Sequence, residues 1–253
     1  HGKTFWENFR LDQIALGFLA CSEKWGESSL RVGDKGLNVS APVPYLSGWA
    51  VKAVSPYFHL VPPVEVTDNL SDIRRKFYLA LEMMEKGEKV AVGAAIASTF
   101  YMLCRYFTDQ RNFYRDLYES LNWGLPKFFF LYKWLKSSLT SREVRPVREV
   151  FPLKGAMVGG ADTRIYSKFF ENTFGIVPLC VYGSSEAGIG MIGLPEEKTS
   201  FMPNLRSCYH EFLDDEGNLR QVDGVKKGEV YELIATPFQD ALVRYQTGDM
   251  FKV

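Results

Sequence analysis

The residues of this chain with the clearest chemical potential form the segment 182–188, YGSSEAG. The segment follows an apolar run that is typical of a buried parallel strand, and open α/β sheets bind ligands at the carboxyl ends of such strands. The ring of Tyr182 can stack on a base, and the hydroxyls of Ser184 and Ser185 can hold phosphate oxygens. The carboxylate of Glu186 can hold Mg²⁺, a hard ion that prefers oxygen ligands. The segment favours a nucleotide and metal site, although a plain surface turn has a similar composition.

Two further segments could complete such a site. In 244–249, RYQTGD, Asp249 follows a glycine turn and can accept two hydrogen bonds from a ribose diol. In 159–162, GGAD, glycines at a predicted helix N-terminus let the backbone approach a planar ligand. Each segment on its own is equally compatible with an ordinary turn.

Other readings of the same region stay open. The run 183–187, GSSEA, is one residue away from the G-x-S-x-G elbow of serine hydrolases, in which Ser185 would be the nucleophile and His210 the base. That elbow must lead into a helix, whereas the residues that follow look extended. The run 188–193, GIGMIG, matches the dinucleotide-binding G-x-G-x-x-G, but Pro195 stands where its helix should begin. A non-catalytic interaction module is the remaining alternative.

The composition bounds the class of protein. The 253 residues contain 30 Lys and Arg against 30 Asp and Glu, with 46% hydrophobic and 15% aromatic residues. Such a chain can build a sizeable core, and its charge balance argues against a nucleic-acid binder or a polybasic membrane-surface protein. We therefore expect neither nucleic acid nor a membrane as partner. Four cysteines without a C-x-x-C pair, and the lack of a secretory signal, predict reduced thiols in a cytoplasmic protein.

The sequence pattern predicts an α/β fold in two portions, 1–150 and 151–253, joined by the polar stretch 140–149. The first portion is rich in helix, with helices predicted at 4–25, 47–54, 73–85, 94–107, 112–121 and 127–138, and short strands at 37–41, 58–61 and 89–92. In the second portion a strand at 153–158, a helix at 163–173 and a strand at 176–182 imply a parallel βαβ unit. Antiparallel strands are predicted to follow at 209–213, 229–236 and 242–245.

Four segments read in order resemble the late core motifs of adenylate-forming enzymes, the superfamily of acyl-CoA synthetases, luciferases and nonribosomal adenylation domains. They are GGAD at 159–162, YGSSE at 182–186, GEVYEL at 228–233 and RYQTGD at 244–249. The sequences of these segments most resemble those of the auxin-responsive GH3-type acyl-acid amido synthetases, with the phenylacetate–CoA ligases as near neighbours. The segments FMPN at 201–204 and HEF at 210–212 favour the GH3 type. The resemblance is specific over 151–253 and generic over 1–150.

The resemblance implies a fold and a reaction. The fold would be a mixed, largely parallel sheet flanked by helices, with a C-terminal antiparallel portion, as part of the large domain of an adenylate-forming enzyme. In the reaction, a small carboxylic acid attacks the α-phosphorus of ATP to give an acyl-adenylate and pyrophosphate. An amine, such as an amino acid, or the thiol of coenzyme A then displaces AMP.

The resemblance also assigns roles to residues. Ser184 and Ser185 would lie near the α-phosphate, and Glu186 would ligate Mg²⁺. The residues that would bind the adenosine part or support its site are Gly160, Ala161, Asp162, Tyr182, Gly183, Arg244 and Asp249. Small residues in 92–104, namely Gly93, Ala94, Ala95 and Ala97, are expected to leave room for the acyl group, together with residues 47–60. The aromatic residues Trp123, Phe128, Phe129, Phe130, Tyr132 and Trp134 are expected to be core, with the wall of an acyl pocket as the alternative.

Two parts of the family pattern do not occur in the 253 residues. The Ser/Thr/Gly-rich phosphate loop would precede His1, and the smaller C-terminal swinging domain would follow Val253. The resemblance therefore implies the central portion of a longer enzyme, which would bind adenine nucleotide weakly and would not turn over alone.

Overall fold

A computed structural model describes residues 22, 29–43, 45–67, 73–120, 122–139, 146–160, 163–186, 188–194, 200–238 and 241–253. The predicted helix at 4–25 lies outside these residues, apart from Ser22. The same holds for residues 140–145 of the predicted joint, and for Ala161 and Asp162 of the predicted site.

Within the described residues, the first of two sheets has seven strands and positions most of the candidate residues. The strands are β1 Lys35–Leu37, β2 His59–Val61, β3 Val92–Ile96, β4 Gly155–Gly159, β5 Leu179–Ser184, β6 Gly188–Gly193 and β7 Phe201–Pro203. They lie in the order β2-β1-β3-β4-β5-β6-β7. The first five are parallel, and β6 and β7 are antiparallel to their neighbours. The predicted mixed, largely parallel sheet and its βαβ unit are confirmed.

Helices cover both faces of this sheet. They are α1 Leu46–Val54, α2 Val64–Thr67, α3 Ile73–Glu85, α4 Ala97–Thr108, α5 Gln110–Ser120, α6 Leu125–Leu139, α7 Val147–Val150 and α8 Thr163–Phe174. Strand residues alternate between two cores, because successive side chains point to opposite faces. Ala156 and Val158 join the large core that α3, α4 and α8 cover, whereas Met157 packs in a smaller core beside Val54 of α1.

The second sheet is antiparallel and packs against the far end of the first. Its strands are β8 Cys208–Leu213, β9 Leu219–Arg220, β10 Val230–Pro237 and β11 Tyr245–Lys252, in the order β11-β10-β8-β9. Met191 of β6 is buried against Phe212, Tyr231 and Leu233, and the partly buried ring of Tyr182 packs beside them. The predicted C-terminal antiparallel portion is confirmed, and it lies next to β5 and β6.

The predicted boundary between a strand and a helix near residue 93 is wrong. The strand predicted at 89–92 and the helix predicted from 94 are instead β3, which runs to Ile96, and α4, which begins at Ala97. All five residues of β3 pair with β4 in a parallel register. These ladder hydrogen bonds outweigh the helix propensity of the alanines, which is a weak preference.

The small residues of β3 do not all leave an open pocket. A Cβ atom on Gly93 would lie 2.3 Å from Cε1 of Phe100, so the ring fills the space that the absent side chain leaves. Ala97 is buried in the same core, and Ala95 packs against it. Only Ala94 packs on the side of α1. The expectation that Gly93 and Ala97 make room for an acyl group is therefore wrong.

The aromatic cluster predicted as core is largely exposed. Trp123 is 80% exposed, and Phe128, Phe129 and Tyr132 are each more than half exposed. Phe130 alone is buried, and with Tyr78, Leu125 and Phe129 it lines a shallow apolar groove. The aromatic spacing predicted the helix correctly, but spacing does not say whether a partner covers each face.

None of the helices that the structure describes is long and apolar enough to cross a membrane.

Candidate functional site

The candidate site begins at the carboxyl ends of β4 and β5, which lie side by side. Gly159 pairs with Val181, so Gly160 follows its strand next to the position of Tyr182. Gly160 has a φ of +112°, a conformation that favours glycine. The hydroxyl of Thr163 donates to the Gly160 carbonyl at 2.9 Å and joins this turn to the start of α8.

A β-hairpin holds the Ser-Ser-Glu sequence. Ser184, the last residue of β5, pairs with Gly188, the first of β6, and Ser185 and Glu186 lie in the turn between them. A Cβ atom on Gly183 would lie 2.7 Å from a methyl carbon of Leu46 and 3.0 Å from the Gly188 carbonyl oxygen. A side chain at position 183 would therefore have to displace Leu46 and crowd the Gly188 carbonyl, so glycine is the residue that fits the hairpin best.

The hairpin contradicts two alternative readings of the sequence. A hydrolase elbow needs a strand that leads into a helix, but the residues after Ser185 enter strand β6. Residues 188–193, which match the dinucleotide-binding pattern, form strand β6. They have neither the turn nor the helix that this pattern requires. His210, the proposed hydrolase base, is engaged elsewhere, with Nε2 donating to the Gly190 carbonyl at 2.8 Å.

Asp249 projects from a bulge inside strand β11, where the sequence predicted a turn after a strand. Gln246 pairs with Ile234 and Met250 with Glu232, so residues 247–249 oppose Leu233 alone. Gly248 has a φ of +78°, which a bulge of this kind needs and which glycine adopts without strain. The predicted strand at 242–245 is wrong because β11 begins only at Tyr245.

The conformation of Arg244 explains why the strand starts there. Its φ of +49° lies in the left-handed region and cannot continue an extended strand. Its guanidinium donates to both carboxylate oxygens of Glu211, from Nε at 2.9 Å and from a terminal nitrogen at 2.8 Å. This hydrogen-bonded pair with Glu211 raises the pKa of Arg244. Arg244 thus ties the entry of β11 to the buried Glu211 of β8.

Tyr182 and Asp249 meet across the two sheets. The Tyr182 hydroxyl donates to Oδ2 of Asp249 at 2.6 Å, although the two residues are 67 positions apart in the chain. The Tyr182 ring also packs edge-on against Phe251, with centroids 5.0 Å apart and planes at 89°. Burial raises the pKa of Tyr182, and both the hydrogen bond to Asp249 and the charge of Glu186 raise it further. The phenol therefore stays a hydrogen-bond donor, and Glu186 lies close enough to influence it.

Asp249 can accept further hydrogen bonds besides the one from Tyr182. A carboxylate has two oxygens and about four acceptor positions, and Tyr182 uses one of these on Oδ2. The Asp249 side chain lies in an exposed stretch of β11. The arrangement can orient this carboxylate and present its other oxygen to hydroxyl groups of a ligand.

The sequence pattern did not predict that His210 is buried and links the two sheets. It is 1% exposed, and its hydrogen bond to Gly190 connects β8 of the second sheet to β6 of the first. The buried Cys208 sulfur lies 3.1 Å from the same nitrogen, and burial raises the pKa of that thiol to about 11. The alternation of β8 could have predicted an inward His210, but not its partner on another sheet.

His210 gives the fold a specific pH dependence. Burial lowers the pKa of His210 from its ordinary value of 6.5, so the unfolded chain binds a proton at a higher pH than the folded chain does. The resulting stability is present above pH 6.5 and is lost as the pH falls from there towards the lowered pKa. We expect His210→Gln, which keeps a donor for Gly190, to remove a slope of up to about 1.4 kcal/mol per pH unit. Urea unfolding between pH 7.5 and 5.5 checks this, and equal slopes in both proteins would contradict it.

The described part of the chain contains no group of three or more His, Cys, Asp or Glu side chains placed to hold a metal ion. Mg²⁺ in nucleotide sites is usually held by one or two carboxylates together with phosphate oxygens and water. The half-buried Glu186, in the turn between β5 and β6, fits that mode of binding. The three cysteines that the structure describes, Cys104, Cys180 and Cys208, are buried free thiols.

Comparison with solved structures identifies the fold. The chain is similar over its whole length to the AtGH3.15 acyl acid amido synthetase in complex with 2,4-DB, at 17% identity and a TM-score of 0.61. It also matches a structure of the GH3.15 acyl acid amido synthetase over 81% of its residues, at 20% identity and a TM-score of 0.50. The chain shares the fold of these synthetases. The resemblance to adenylate-forming enzymes is thereby confirmed at the level of the fold.

The match covers only part of each of these two structures. The chain spans 50% of the length of the first of these structures and 40% of the second. No protein-family model and no curated protein matches the chain.

Proposed function

We propose that this chain is the nucleotide-binding portion of an adenylate-forming ligase. The ligase activates a small carboxylic acid with ATP to an acyl-adenylate and then transfers the acyl group to an amine, as GH3-type synthetases do. The observation that carries this proposal is the 2.6 Å hydrogen bond from Tyr182 to Asp249. It joins two motifs of the family pattern that are distant in the chain, and the charge of Glu186 acts on the same tyrosine.

The proposed roles are those that the family resemblance implies, and the positions of the described residues support them. Gly160 and Tyr182 border the adenine at the ends of β4 and β5, with Ala161 and Asp162 as further candidates. Asp249 accepts the ribose hydroxyls, and Arg244 and Gly183 support the strands that carry the site. Ser184 and Ser185 lie in or beside the hairpin turn, where their hydroxyls would hold the α-phosphate.

Mg²⁺ would be held by Glu186 together with the phosphate oxygens of ATP. When bound, the ion offsets the negative charge that builds up as the acid attacks the α-phosphorus. The chain contributes positioning: it holds the adenosine at two sheets and points the phosphates towards the hairpin, so that attack occurs in one geometry.

The acyl acceptor and the carboxylic acid complete the proposed reaction. An amino acid is the proposed acceptor, and the alternative is coenzyme A, as in phenylacetate–CoA ligases. We assign the nucleotide to residues 151–253 and the acid to 1–150, where Ala94 packs on the side of α1. The buried free thiols support a reducing, cytoplasmic setting.

Stabilisation by AMP tests the proposal. A ligand at ten times its dissociation constant adds about 1.4 kcal/mol of stability, which raises the melting temperature of a chain of this size by about 3–5 °C. We expect AMP at millimolar concentration to produce this shift and ribose 5-phosphate, which lacks the base, to produce less. No shift with AMP at any concentration would contradict nucleotide binding and favour an interaction module.

A further inference from the structure

Glu232 of β10 faces the bulge that carries Asp249. Its two carboxylate oxygens accept hydrogen bonds from two points of β11: Gly248 N–H donates to Oε1 at 2.9 Å and the Gln246 side-chain amide donates to Oε2 at 2.7 Å. Glu232 thus bridges the residue before the bulge to the residue that precedes Asp249.

The extra residues of a bulge lose their ladder partners, so their backbone groups bond side chains or water instead. The Gly248 amide cannot pair with a β10 carbonyl in the regular register, and the Glu232 carboxylate satisfies it instead. Within the bulge, Thr247 Oγ1 donates to the Leu233 carbonyl at 2.9 Å and accepts from Asp249 N–H at 3.1 Å. The backbone on both sides of Gly248 is therefore held by side chains.

We propose that Glu232 is a positioning residue for nucleotide binding. It does not touch the nucleotide, but it fixes the backbone from which Asp249 reaches both the Tyr182 hydroxyl and the ribose. Two ribose hydroxyls can share one carboxylate only if that carboxylate is held close to the productive geometry. This inference rests on the proposed function and adds a residue to which the sequence motifs gave no role.

Two substitutions at position 232 separate positioning from charge. Glu232→Ala removes both hydrogen bonds. In Glu232→Gln the side-chain oxygen still accepts from Gly248 N–H, and its amino group donates to the Gln246 oxygen once that amide turns over. Glu232→Gln therefore keeps the bridge without its charge, and Glu216→Ala, on the exposed loop after β8, serves as the control.

The experiment measures the affinities of AMP and of 2′,3′-dideoxy-AMP by calorimetry. Wild type is expected to favour AMP, because only AMP offers hydroxyls to Asp249. In Glu232→Ala we expect this preference to fall by about tenfold or more, since a misplaced group loses its interaction steeply with distance, while the affinity for the dideoxy nucleotide stays the same. Glu232→Gln and Glu216→Ala are expected to keep the wild-type preference.

A merely structural role of Glu232 would lower the melting temperature without changing the preference, and that result overturns the inference. Glu232→Asp, whose shorter side chain reaches one donor at most, is measured alongside in case the alanine variant does not fold, and its preference is expected to be intermediate. An Asp variant with the full wild-type preference also overturns the inference.

If wild type binds AMP and its dideoxy analogue equally, the ribose role of Asp249 fails and this inference fails with it. If wild type binds neither, the proposed function itself is wrong.

Discussion

Asp249→Ala is expected to lower the affinity for AMP by about 10- to 100-fold. A hydrogen bond to a charged group contributes about 1.5–3 kcal/mol, and alanine removes the carboxylate proposed to accept the ribose hydroxyls. The same change removes the group that accepts from the Tyr182 hydroxyl at 2.6 Å. Isothermal titration calorimetry with AMP measures the effect directly.

Asp215→Ala is the matched control for this change, because Asp215 is an exposed carboxylate on the loop between β8 and β9 of the same sheet. Its AMP affinity is expected to equal that of wild type. An Asp249→Ala protein that folds and binds AMP as tightly as the control would show that Asp249 does not hold the ribose.

Glu186→Gln is expected to abolish the magnesium dependence of ATP binding. The hairpin turn places this carboxylate near Tyr182, whose pKa it helps to raise, and so next to the site proposed for the adenosine. Glutamine has nearly the same shape but no charge, and Mg²⁺ prefers charged oxygen ligands. Wild type should bind ATP about tenfold or more tightly with Mg²⁺ than without, since charge-assisted contacts are the strong ones. The variant should show no such difference.

Titrations with and without Mg²⁺ measure this difference. Glu171→Gln, an exposed carboxylate on α8, is the control and should keep the full magnesium effect. AMP, which lacks the β- and γ-phosphates, should bind Glu186→Gln nearly as it binds wild type. A Glu186→Gln protein whose ATP affinity still rises with Mg²⁺ would remove the metal role.

Much of the fold could be predicted from local pattern. The helices at Leu46–Val54, Ile73–Glu85 and Thr163–Phe174 agree closely with their predicted limits, because apolar spacing and the flanking turn residues are local signals. The parallel pairing of β4 with β5 followed from the strand–helix–strand order. Beyond these elements, pairing between distant segments decided the result, as in β3, which its partner β4 lengthens to Ile96.

The candidate site, like the fold, could be predicted from the sequence only in part. Residue types and motif order selected Tyr182, Glu186 and Asp249, and the structure places Tyr182 against Asp249. The bulge could not be predicted, because it depends on Glu232 and Leu233 of a neighbouring strand. Packing partners were equally hidden: Phe100 fills the space beside Gly93, which no spacing rule indicates.

Crystals of the chain grown with AMP offer the most direct test of whether the two sheets form one adenosine site. We expect electron density for the nucleotide at the ends of β4 and β5, with the base beside Gly160 and Tyr182 and the ribose hydroxyls on Asp249. Density that places AMP away from both Tyr182 and Asp249 would contradict the account.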